Sequence, residues 1–186
     1  MKKEHLHRAI WGFMAVLFVV TALGVGVYAF WVNTHNGTDS SGQSNSYLKC
    51  PLKTVSANQA KKNGKLEGAQ LAGFTPVKHV DYLQCQDMKV GNGATATATS
   101  QVTAIYTGAL ASNGTIFQSS EDTGQPFTAS LSGGVIQGWS AGIPGMKVGG
   151  QRRLLIPAQY AYGSQSVAGI PPNSDLVFDI TLLAVK

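Results

Sequence analysis

Cysteine and charge are both scarce in this sequence, and each shortage excludes a class of function. Only 2 of the 186 residues are cysteine, and only 12% are charged. The two cysteines, Cys50 and Cys85, form no Cys-x-x-Cys pair, and the four histidines are scattered, so no set of metal ligands has the spacing of a zinc site. The sequence also lacks a Ser/His/Asp or Cys/His set for nucleophilic catalysis. We therefore expect neither a metal nor a cofactor.

The charges that are present have a basic excess. The formal net charge is +5, and several of the cations lie in the first eight residues and at Lys61, Lys62 and Lys65. No basic stripe is interleaved with aromatic residues, so nucleic acid is not predicted as a partner. The excess fits either attraction to anionic lipid or cell-wall polymer, or an ordinary solvated surface. Low charge with 22 glycines is typical of a β-rich protein outside the cytoplasm.

One long apolar run, AIWGFMAVLFVVTALGVGVYAFWV, occupies residues 9–32 and contains no charged residue. About 20 apolar residues are enough to cross a bilayer as a helix. The basic residues of segment 1–8 precede the run and the next Lys or Arg is Lys49, so the positive-inside rule places residues 1–8 in the cytoplasm and the rest of the chain outside. We predict an uncleaved transmembrane signal anchor. The alternatives are a cleaved signal peptide, which also exports the C-terminal part, and a buried core helix.

The segment after this run, residues 33–79, is assigned as a flexible linker and extension. Residues 33–46 are small, polar and turn-prone, as flexible linkers are. Residues 47–79 have weak helical character that Gly64 and Gly68 interrupt. In an exported chain, Cys50 and Cys85 are expected to form a disulfide that staples the extension to the following domain, and two unpaired thiols are the alternative.

Short β-branched runs, punctuated by Gly, Asn and Pro, begin near Val80 and continue to the C-terminus. The pattern predicts strands, a hairpin turn and a short helix in this region. The strands are expected at 80–88, within 94–107, at 115–117, 126–131, 152–156 and 176–185, the turn at 112–114 and the helix at 136–142. The predicted fold class of residues 80–186 is α+β, with a curved antiparallel sheet of about five strands wrapped around one short helix.

The order of motifs from residue 82 onward resembles the FKBP family of peptidyl-prolyl cis/trans isomerases. These motifs are VTAIYTGAL with GTIFQSS, then VIQGW, GMKVGGQRRLLIP, AYG and GIPPNSDLVFDITLL. The resemblance covers somewhat more than half of the chain. It implies an antiparallel sheet curled around one short helix, with a ligand pocket between them. Combined with the apolar run at 9–32, it predicts a membrane-anchored, bacterial member of the family.

The resemblance also implies roles for individual residues. Trp139 would form the floor beneath the substrate proline ring, while the Ile136 backbone N–H and the Tyr162 hydroxyl would bond substrate carbonyls. The other implied pocket residues are Tyr106, Phe117 and Phe178 as walls, Phe127 and Val135 along one side with Ile136, and Ile170 at the rim with Ala161 and Val167 nearby. An aromatic cluster is equally what an ordinary core contains, since aromatic side chains bury the most area.

Three positions depart from the family pattern. Gln118 stands where the family commonly has an aspartate directly after the phenylalanine, and Thr123 stands where a basic residue is often found. Ala129 replaces a frequent aromatic residue, which widens the expected pocket. The network around Tyr106 is therefore predicted to be neutral. We keep Gln118 among the catalytic candidates, because its amide still exchanges hydrogen bonds although it supplies no negative field.

The predicted activity is isomerisation of X–Pro bonds in exported, partly folded proteins near the membrane. A noncatalytic peptide-binding or holdase module is the first alternative, and Gln118 favours it. An accessory structural domain with a vestigial pocket is the second, and Trp139, Tyr162 and Phe178 count against it. The expected partners are proline-containing peptide segments and the membrane. The resemblance leaves open whether macrolide inhibitors such as tacrolimus or rapamycin bind.

Overall fold

The computed structural model describes residues 48–54 and 58–186, and its centre is a curved antiparallel sheet with a short helix against one face. The strands are β1 (Gln84–Lys89), β2 (Gln101–Leu110), β3 (Ile116–Ser119), β4 (Phe127–Ser130), β5 (Gln151–Ile156) and β6 (Leu176–Val185). The helix, α1, spans Gln137–Gly142, and two 3-10 turns lie at Ser120–Asp122 and Ala158–Tyr160.

The sheet has the order β1-β5-β6-β2-β3, with β4 also paired to β2. The first residues of β2, Gln101 to Ala104, pair with β4, and its last residues, Thr107 to Ala109, pair with β3. Six strands therefore occupy five positions across the sheet. The FKBP-like antiparallel sheet with one short helix, expected from the resemblance, is confirmed.

The strand bounds differ from the prediction mainly at the start of the domain. Strand β6 spans the predicted residues, but β1 begins at Gln84 rather than at Val80. The segment predicted as strand from residue 94 becomes one only at Gln101. The physical reason is a turn, in which the Ser100 N–H donates to the Thr97 carbonyl (3.2 Å) and the Thr97 N–H donates to the Ser100 hydroxyl (3.1 Å).

Two glycines allow α1 to lie directly on β5. A methyl group added at Gly138 would come within 2.4 Å of the Ile156 side chain, and one added at Gly142 within 2.7 Å of Leu154. Both positions share one helix face because they are four residues apart. The contact holds the helix, and with it Trp139, against the sheet. At the helix end, buried Arg152 donates to the Gly142 carbonyl at 2.7 Å, which satisfies a carbonyl that the helix leaves open.

The residues ahead of β1, 48–54 and 58–80, form a strap that pairs with both edges of the sheet. At the β1 edge, the Lys53 N–H donates to the Asp87 carbonyl and the Asp87 N–H donates to the Pro51 carbonyl. At the β3 edge, the Gly68 N–H donates to the Ile116 carbonyl, and the Ile116 N–H donates to the Ala69 carbonyl. An open sheet edge exposes unpaired backbone groups that invite association. The strap satisfies such groups at both ends of the sheet.

The strap also covers the outer face of the sheet. Its Leu66, Ala69 and Leu71 bury against a second apolar cluster, whose sheet members are Ala109, Ile116 and Val177. These sheet residues alternate in sequence with inward-facing ones, so they point away from α1. The outer cluster therefore needs the strap to be kept from water.

Arg153 fastens the strap to the outer face. Its guanidinium forms a two-point pair with Asp179, at 2.6 Å and 2.7 Å, and donates to the Gly73 and Ala72 carbonyls at 2.6 Å and 3.0 Å. The guanidinium carbon also lies 5.6 Å from the centre of the Phe74 ring. Residues 58–79, predicted as part of a linker and extension, are thus bound to the domain along most of their length.

Cys50 and Cys85 form a disulfide that joins the strap to β1. In the described part of the chain, no helix combines the length and the apolar character needed to cross a bilayer. The predicted anchor at 9–32 lies outside the described residues.

Candidate functional site

Five aromatic rings meet on the inner side of the sheet, each supplied by a different element. Trp139 of α1 lies 3% exposed at the centre. Its ring centroid is 5.4 Å from that of Tyr106, 5.6 Å from that of Phe178 and 5.9 Å from that of Phe127, all edge-on. Phe117 meets Phe178 edge-on at 5.7 Å. Offset and edge-to-face pairs at this spacing are favourable beyond their buried area. The structure thus brings together five of the six predicted pocket aromatics, and the sixth, Tyr162, packs against this cluster.

A bulge in β3 and a glycine in β2 make room for Phe117. The register between these strands shifts so that Ala109 faces Ile116 while Gly108 faces Gln118, which leaves Phe117 as the extra residue. Bulges of this kind redirect a side chain and are common beside functional sites. A methyl group at Gly108 would lie 2.6 Å from the Phe117 ring and 2.7 Å from the Phe178 ring. Glycine is therefore required there by close approach.

The remaining predicted pocket residues surround the rings and are mostly half-buried. Ile170 is only 3% exposed, whereas the others pack on the cluster with part of their surface in solvent: Val135, Ile136, Ala161, Tyr162 and Val167. Val167 and Ile170 close a tight turn, with mutual backbone bonds of 3.2 Å and 2.8 Å. Gly169 in this turn packs on Phe117, since an added methyl group would lie 3.3 Å from the Phe117 Cβ atom.

Two consecutive serines hold the backbone of Tyr106. The Tyr106 N–H donates to the Ser120 hydroxyl at 2.9 Å, and the Ser119 hydroxyl donates to the Tyr106 carbonyl at 3.2 Å. Thr107 adds a hydroxyl contact to Ser119 at 2.9 Å. These serines were not among the predicted site residues, although they follow Phe117 in the motif GTIFQSS. Their signal is the preference of Ser side chains for local bonds to backbone groups.

The two tyrosine hydroxyls of the site are kept neutral by burial. Burial raises the pKa of Tyr106 to about 12. The pKa of Tyr162 is raised further, first by burial and then by the proximity of Tyr106. Both phenols remain hydrogen-bond donors throughout the physiological range. The effect of Tyr106 on Tyr162 shows that the two side chains act within one local environment.

Two buried polar atoms in this region have no hydrogen-bond partner among the described residues. They are the Gln118 amide oxygen and the Trp139 indole nitrogen. Buried polar groups are paired in the great majority of cases, and an unpaired one calls for an explanation such as a bound water or ligand. One is an acceptor and the other a donor, so the site can offer both to an occupant.

The Ile136 N–H, which lies just ahead of α1, donates to no acceptor within the described part of the chain, whereas the Ile136 carbonyl accepts from Trp139 and Ser140. Its direction is set by extended backbone at the helix start, with φ −61° and ψ 150°. The Ile136 N–H is thus a candidate donor for an occupant, and the role that the resemblance implies for it stays a prediction.

Thr123 and Ala129, two of the departures from the family pattern, are uncharged and so add no ionic group near Tyr106. The Thr123 hydroxyl donates to the Ser120 carbonyl at 2.9 Å and so closes the 3-10 turn. Ala129 pairs with Val102 in the sheet and is half-buried. The two positions therefore support the backbone near the cluster without adding an ionic group to it.

The FKBP_C family profile, described as FKBP-type peptidyl-prolyl cis-trans isomerase, matches residues 92–183. Among curated proteins, "FK506-binding protein 4" of Neurospora crassa is 49% identical over 111 residues, which are 59% of this chain and 23% of that protein. A "Peptidyl-prolyl cis-trans isomerase" of Saccharomyces cerevisiae is 45% identical over 54% of this chain and 24% of that protein. The chain thus spans about a quarter of the length of these fungal relatives.

Solved structures extend the likeness to shorter proteins. Crystal structures of FkpA from Escherichia coli and of a peptidyl-prolyl cis-trans isomerase from Pseudomonas syringae match with TM-scores of 0.52 and 0.51, at 42% and 33% identity. The match covers 56% and 59% of this chain, and 48% and 80% of those chains. AtFKBP13 is 38% identical, with 56% of this chain and 93% of that chain covered and a TM-score of 0.51. The chain belongs to the FKBP-type peptidyl-prolyl cis-trans isomerase family.

Proposed function

We propose that this chain isomerises X–Pro peptide bonds by binding them in an aromatic pocket over Trp139. The observation that carries the proposal is the assembly of five rings from five separate elements, with half-buried residues on one side and an Ile136 N–H that has no acceptor among the described residues. A proline ring is apolar and flat enough to lie on an indole face. The half-buried residues are the side from which a peptide would enter.

The chemistry needs no nucleophile. Rotation about the X–Pro bond must break amide resonance, with a barrier of about 18–20 kcal/mol. The twisted amide has a less dipolar carbonyl than the planar one, so a site poor in water favours it over the solvated ground state. The chain then has to hold the neighbouring carbonyls while the bond turns.

The described residues supply the donors for that task. In the proposed complex, the Ile136 N–H and the Tyr162 hydroxyl each bind a carbonyl of the peptide, and the Gln118 amide oxygen takes an N–H of the same peptide. Donors fixed before the substrate arrives need not reorganise during the reaction. The Tyr162 hydroxyl is protonated for this role, and its raised pKa extends that state into alkaline solution.

The test is catalysed cis/trans exchange of an Ala-Leu-Pro-Phe peptide, measured by NMR with the full chain. We expect exchange that is faster than in buffer and that is lost in Trp139→Ala, with thermal unfolding to verify that the variant is folded. Trp139→Phe keeps an aromatic floor and is the fallback if the alanine variant does not fold. No exchange by the folded wild type, or undiminished exchange in folded Trp139→Ala, would refute the proposal.

A second candidate is a noncatalytic peptide-binding module, and the neutral side chain at Gln118 favours it. An amide supplies a hydrogen bond but no negative field to polarise the Tyr106 hydroxyl. Such a module would bind the peptide with an affinity that depends on Trp139 yet leave its exchange rate at the buffer value. Peptide titration beside the exchange measurement separates the two.

The proposed clients are proline-containing segments of exported proteins, and the proposed location is the outer side of a bacterial cell membrane. The uncharged run at 9–32 and the basic residues before it support an anchor with a cytoplasmic N-terminus. The disulfide between Cys50 and Cys85 suits an oxidising compartment. Two of the similar solved structures come from bacteria, which supports a bacterial source. Macrolide binding at the same pocket is supported by the name of the fungal relatives, FK506-binding protein 4.

The location is tested by expressing the full chain in bacteria and treating spheroplasts with protease. We expect residues after 32 to be digested and the protein to stay in the membrane after alkaline extraction. Release of a shortened chain into the soluble fraction would support the cleaved signal peptide instead. Full protection from protease would contradict export altogether.

A further inference from the structure

One carboxylate, Asp175, binds the strap and the turn that carries Tyr162 at the same time. It lies directly before β6, and its side chain is only 9% exposed. The Oδ1 atom accepts from the Ala158 N–H at 2.8 Å, while Oδ2 accepts from the Val80 N–H at 2.7 Å and lies 2.9 Å from His79 Nδ1. Bonds to an ionised acceptor are roughly twice as strong as neutral ones. Asp175 is therefore a junction of two segments far apart in sequence.

From Asp175, one series of hydrogen bonds continues through Ala158 to the residues on either side of Tyr162. The Ala158 carbonyl accepts from the Ala161 N–H at 3.0 Å and from the Gly163 N–H at 2.8 Å. Tyr162 lies between these two donors, so its backbone is set by the position of Ala158. The Gly163 carbonyl accepts in turn from the Asn173 N–H at 2.7 Å, which returns the chain toward Asp175.

On the other side, the bonds hold the end of the strap. Val80 is fully buried, and His79 lies between Asp175 and Asp81, whose Oδ1 is 3.6 Å from His79 Nε2. The strap thus ends on the same carboxylate that fixes the Tyr162 turn. A displacement of the strap at this point moves an acceptor on which the turn depends.

We propose that Asp175 is the positioning residue for Tyr162 and couples the strap to the substrate site. This inference rests on the proposed function, because it assigns Tyr162 to the substrate. Asp175 touches no substrate itself. It acts by holding Ala158, and through it the Tyr162 hydroxyl, where a carbonyl of the peptide can be bound.

Two variants remove the same bond from opposite ends. Asp175→Asn keeps the size of the side chain but replaces one carboxylate oxygen with an NH₂ group. That group cannot accept a hydrogen bond, so either the Ala158 N–H or the Val80 N–H loses its acceptor. Ala158→Pro deletes the donor N–H and puts the ring Cδ atom in place of its hydrogen, so the Asp175 carboxylate must also move away from Ala158. The preceding backbone suits proline, since Pro157 has φ −63° and ψ 150° and Ala158 is the first residue of its turn. Asp122→Asn is the matched control, because Asp122 also accepts two strap N–H groups, from Leu66 at 2.7 Å and Glu67 at 2.9 Å, without a bond to the Tyr162 turn.

The decisive readout is a double-mutant cycle with Tyr162→Phe in the full chain. We expect Asp175→Asn and Ala158→Pro each to lower kcat/KM for the Ala-Leu-Pro-Phe peptide by about 2- to 30-fold. In the Tyr162→Phe background, the same changes should have little further effect, since the hydroxyl they position is already gone. Asp122→Asn should act equally in both backgrounds. Equal losses from Asp175→Asn in both backgrounds would overturn the proposal and leave Asp175 a purely structural residue.

A second readout separates this inference from the proposed function. Amide hydrogen exchange of residues 161–163 should be faster in Asp175→Asn than in the wild type, and unchanged in Asp122→Asn. Unchanged protection in Asp175→Asn overturns the positioning role whatever the activity. If the wild type binds the peptide but does not isomerise it, the proposed activity is overturned. The cycle, then read from peptide affinity, and the faster hydrogen exchange in Asp175→Asn still decide the role of Asp175.

Discussion

Tyr106 lies in the aromatic cluster and Tyr162 packs against it, and burial raises the pKa of both side chains. Their hydroxyls are useful as donors only while they are protonated. Because burial raises both pKa values, the folded chain holds these protons at a pH where an unfolded chain would release them. Protonation of these two hydroxyls therefore contributes to the free energy of unfolding.

We predict that the free energy of unfolding falls as the pH rises from the ordinary tyrosine value of 10.0 toward the Tyr106 value of about 12. In this window the unfolded state binds fewer protons than the folded state, so increasing pH favours unfolding. Denaturant unfolding at a series of pH values measures the slope. Tyr106→Phe should make the slope shallower.

The control for this prediction is Tyr82→Phe, since Tyr82 is 54% exposed and lies outside the aromatic cluster. It should leave the alkaline slope unchanged. An alkaline slope that does not differ between wild type and Tyr106→Phe would contradict the assignment of the effect to the buried site.

At the residue scale, the sequence was sufficient for the pocket aromatics but not for the groups that hold them. The ordered motifs named Trp139, Tyr106 and Phe178, and the structure places these rings together. The role of Ser119 and Ser120 could not be predicted, because a serine in a hairpin has many local acceptors and its partner depends on the turn that forms. Asp175 was passed over for a similar reason: its three partners are 17, 95 and 96 residues away.

At the scale of elements, the packing of α1 on β5 sets the distance of the Trp139 ring from the sheet. Gly138 and Gly142 both face β5 with no space for a methyl group. Any side chain there must push the helix outward, and Trp139 moves with it. This short helix is held by contact with the sheet more than by its own hydrogen bonds, since isolated short helices are marginal in water.

We predict that Gly138→Ala destabilises the protein by about 1–3 kcal/mol, because overpacking forces side chains and backbone to shift. It should also weaken peptide binding, since Trp139 is the next residue. Gly133→Ala is the control, as a methyl group there would have no neighbour within 4 Å. Denaturant unfolding and peptide titration measure the two effects. A Gly138→Ala protein as stable as Gly133→Ala would show that the helix does not need this close contact.

The strap is the element that the sequence did not predict. Its pairing with the sheet edges consists of isolated bridges, such as Leu52 with Asp87 and Gln70 with Thr115, and these give no strand pattern. Its buried side chains, Leu66, Ala69 and Leu71, follow neither a helical nor a strand period because they fit a surface that exists only after the sheet has formed. Tertiary contact therefore decides this segment, whereas the alternation within β2 and the apolar residues on both faces of β6 predict those strands locally.

At the scale of the whole molecule, the strap and its disulfide make the FKBP-type domain larger than the matched family region. Residues 92–183 match the family profile, yet the outer apolar cluster and both sheet edges are completed by residues before β1. The disulfide closes a loop with a sequence separation of 35. It therefore reduces the number of conformations open to this segment in the unfolded chain.

We predict that removing the disulfide, by reduction or by Cys50→Ser with Cys85→Ser, lowers the free energy of unfolding by roughly 4 kcal/mol, the loop-entropy value for a loop of this length. Thermal unfolding with and without reductant measures the loss in the wild type. The double serine variant is its own control, because reductant should change nothing further in it. Equal stability of the oxidised and reduced wild type would mean that the strap stays in place without the covalent bond.

The most direct test of the isomerase account is the rate of catalysed cis/trans exchange in three versions of the full chain: wild type, Tyr162→Phe and Gln118→Asp. The account predicts measurable exchange in the wild type, a fall when the Tyr162 hydroxyl is removed, and a rise when a carboxylate at position 118 restores a negative field near Tyr106. Peptide binding without exchange in all three proteins would contradict the account and identify the chain as a peptide-binding module.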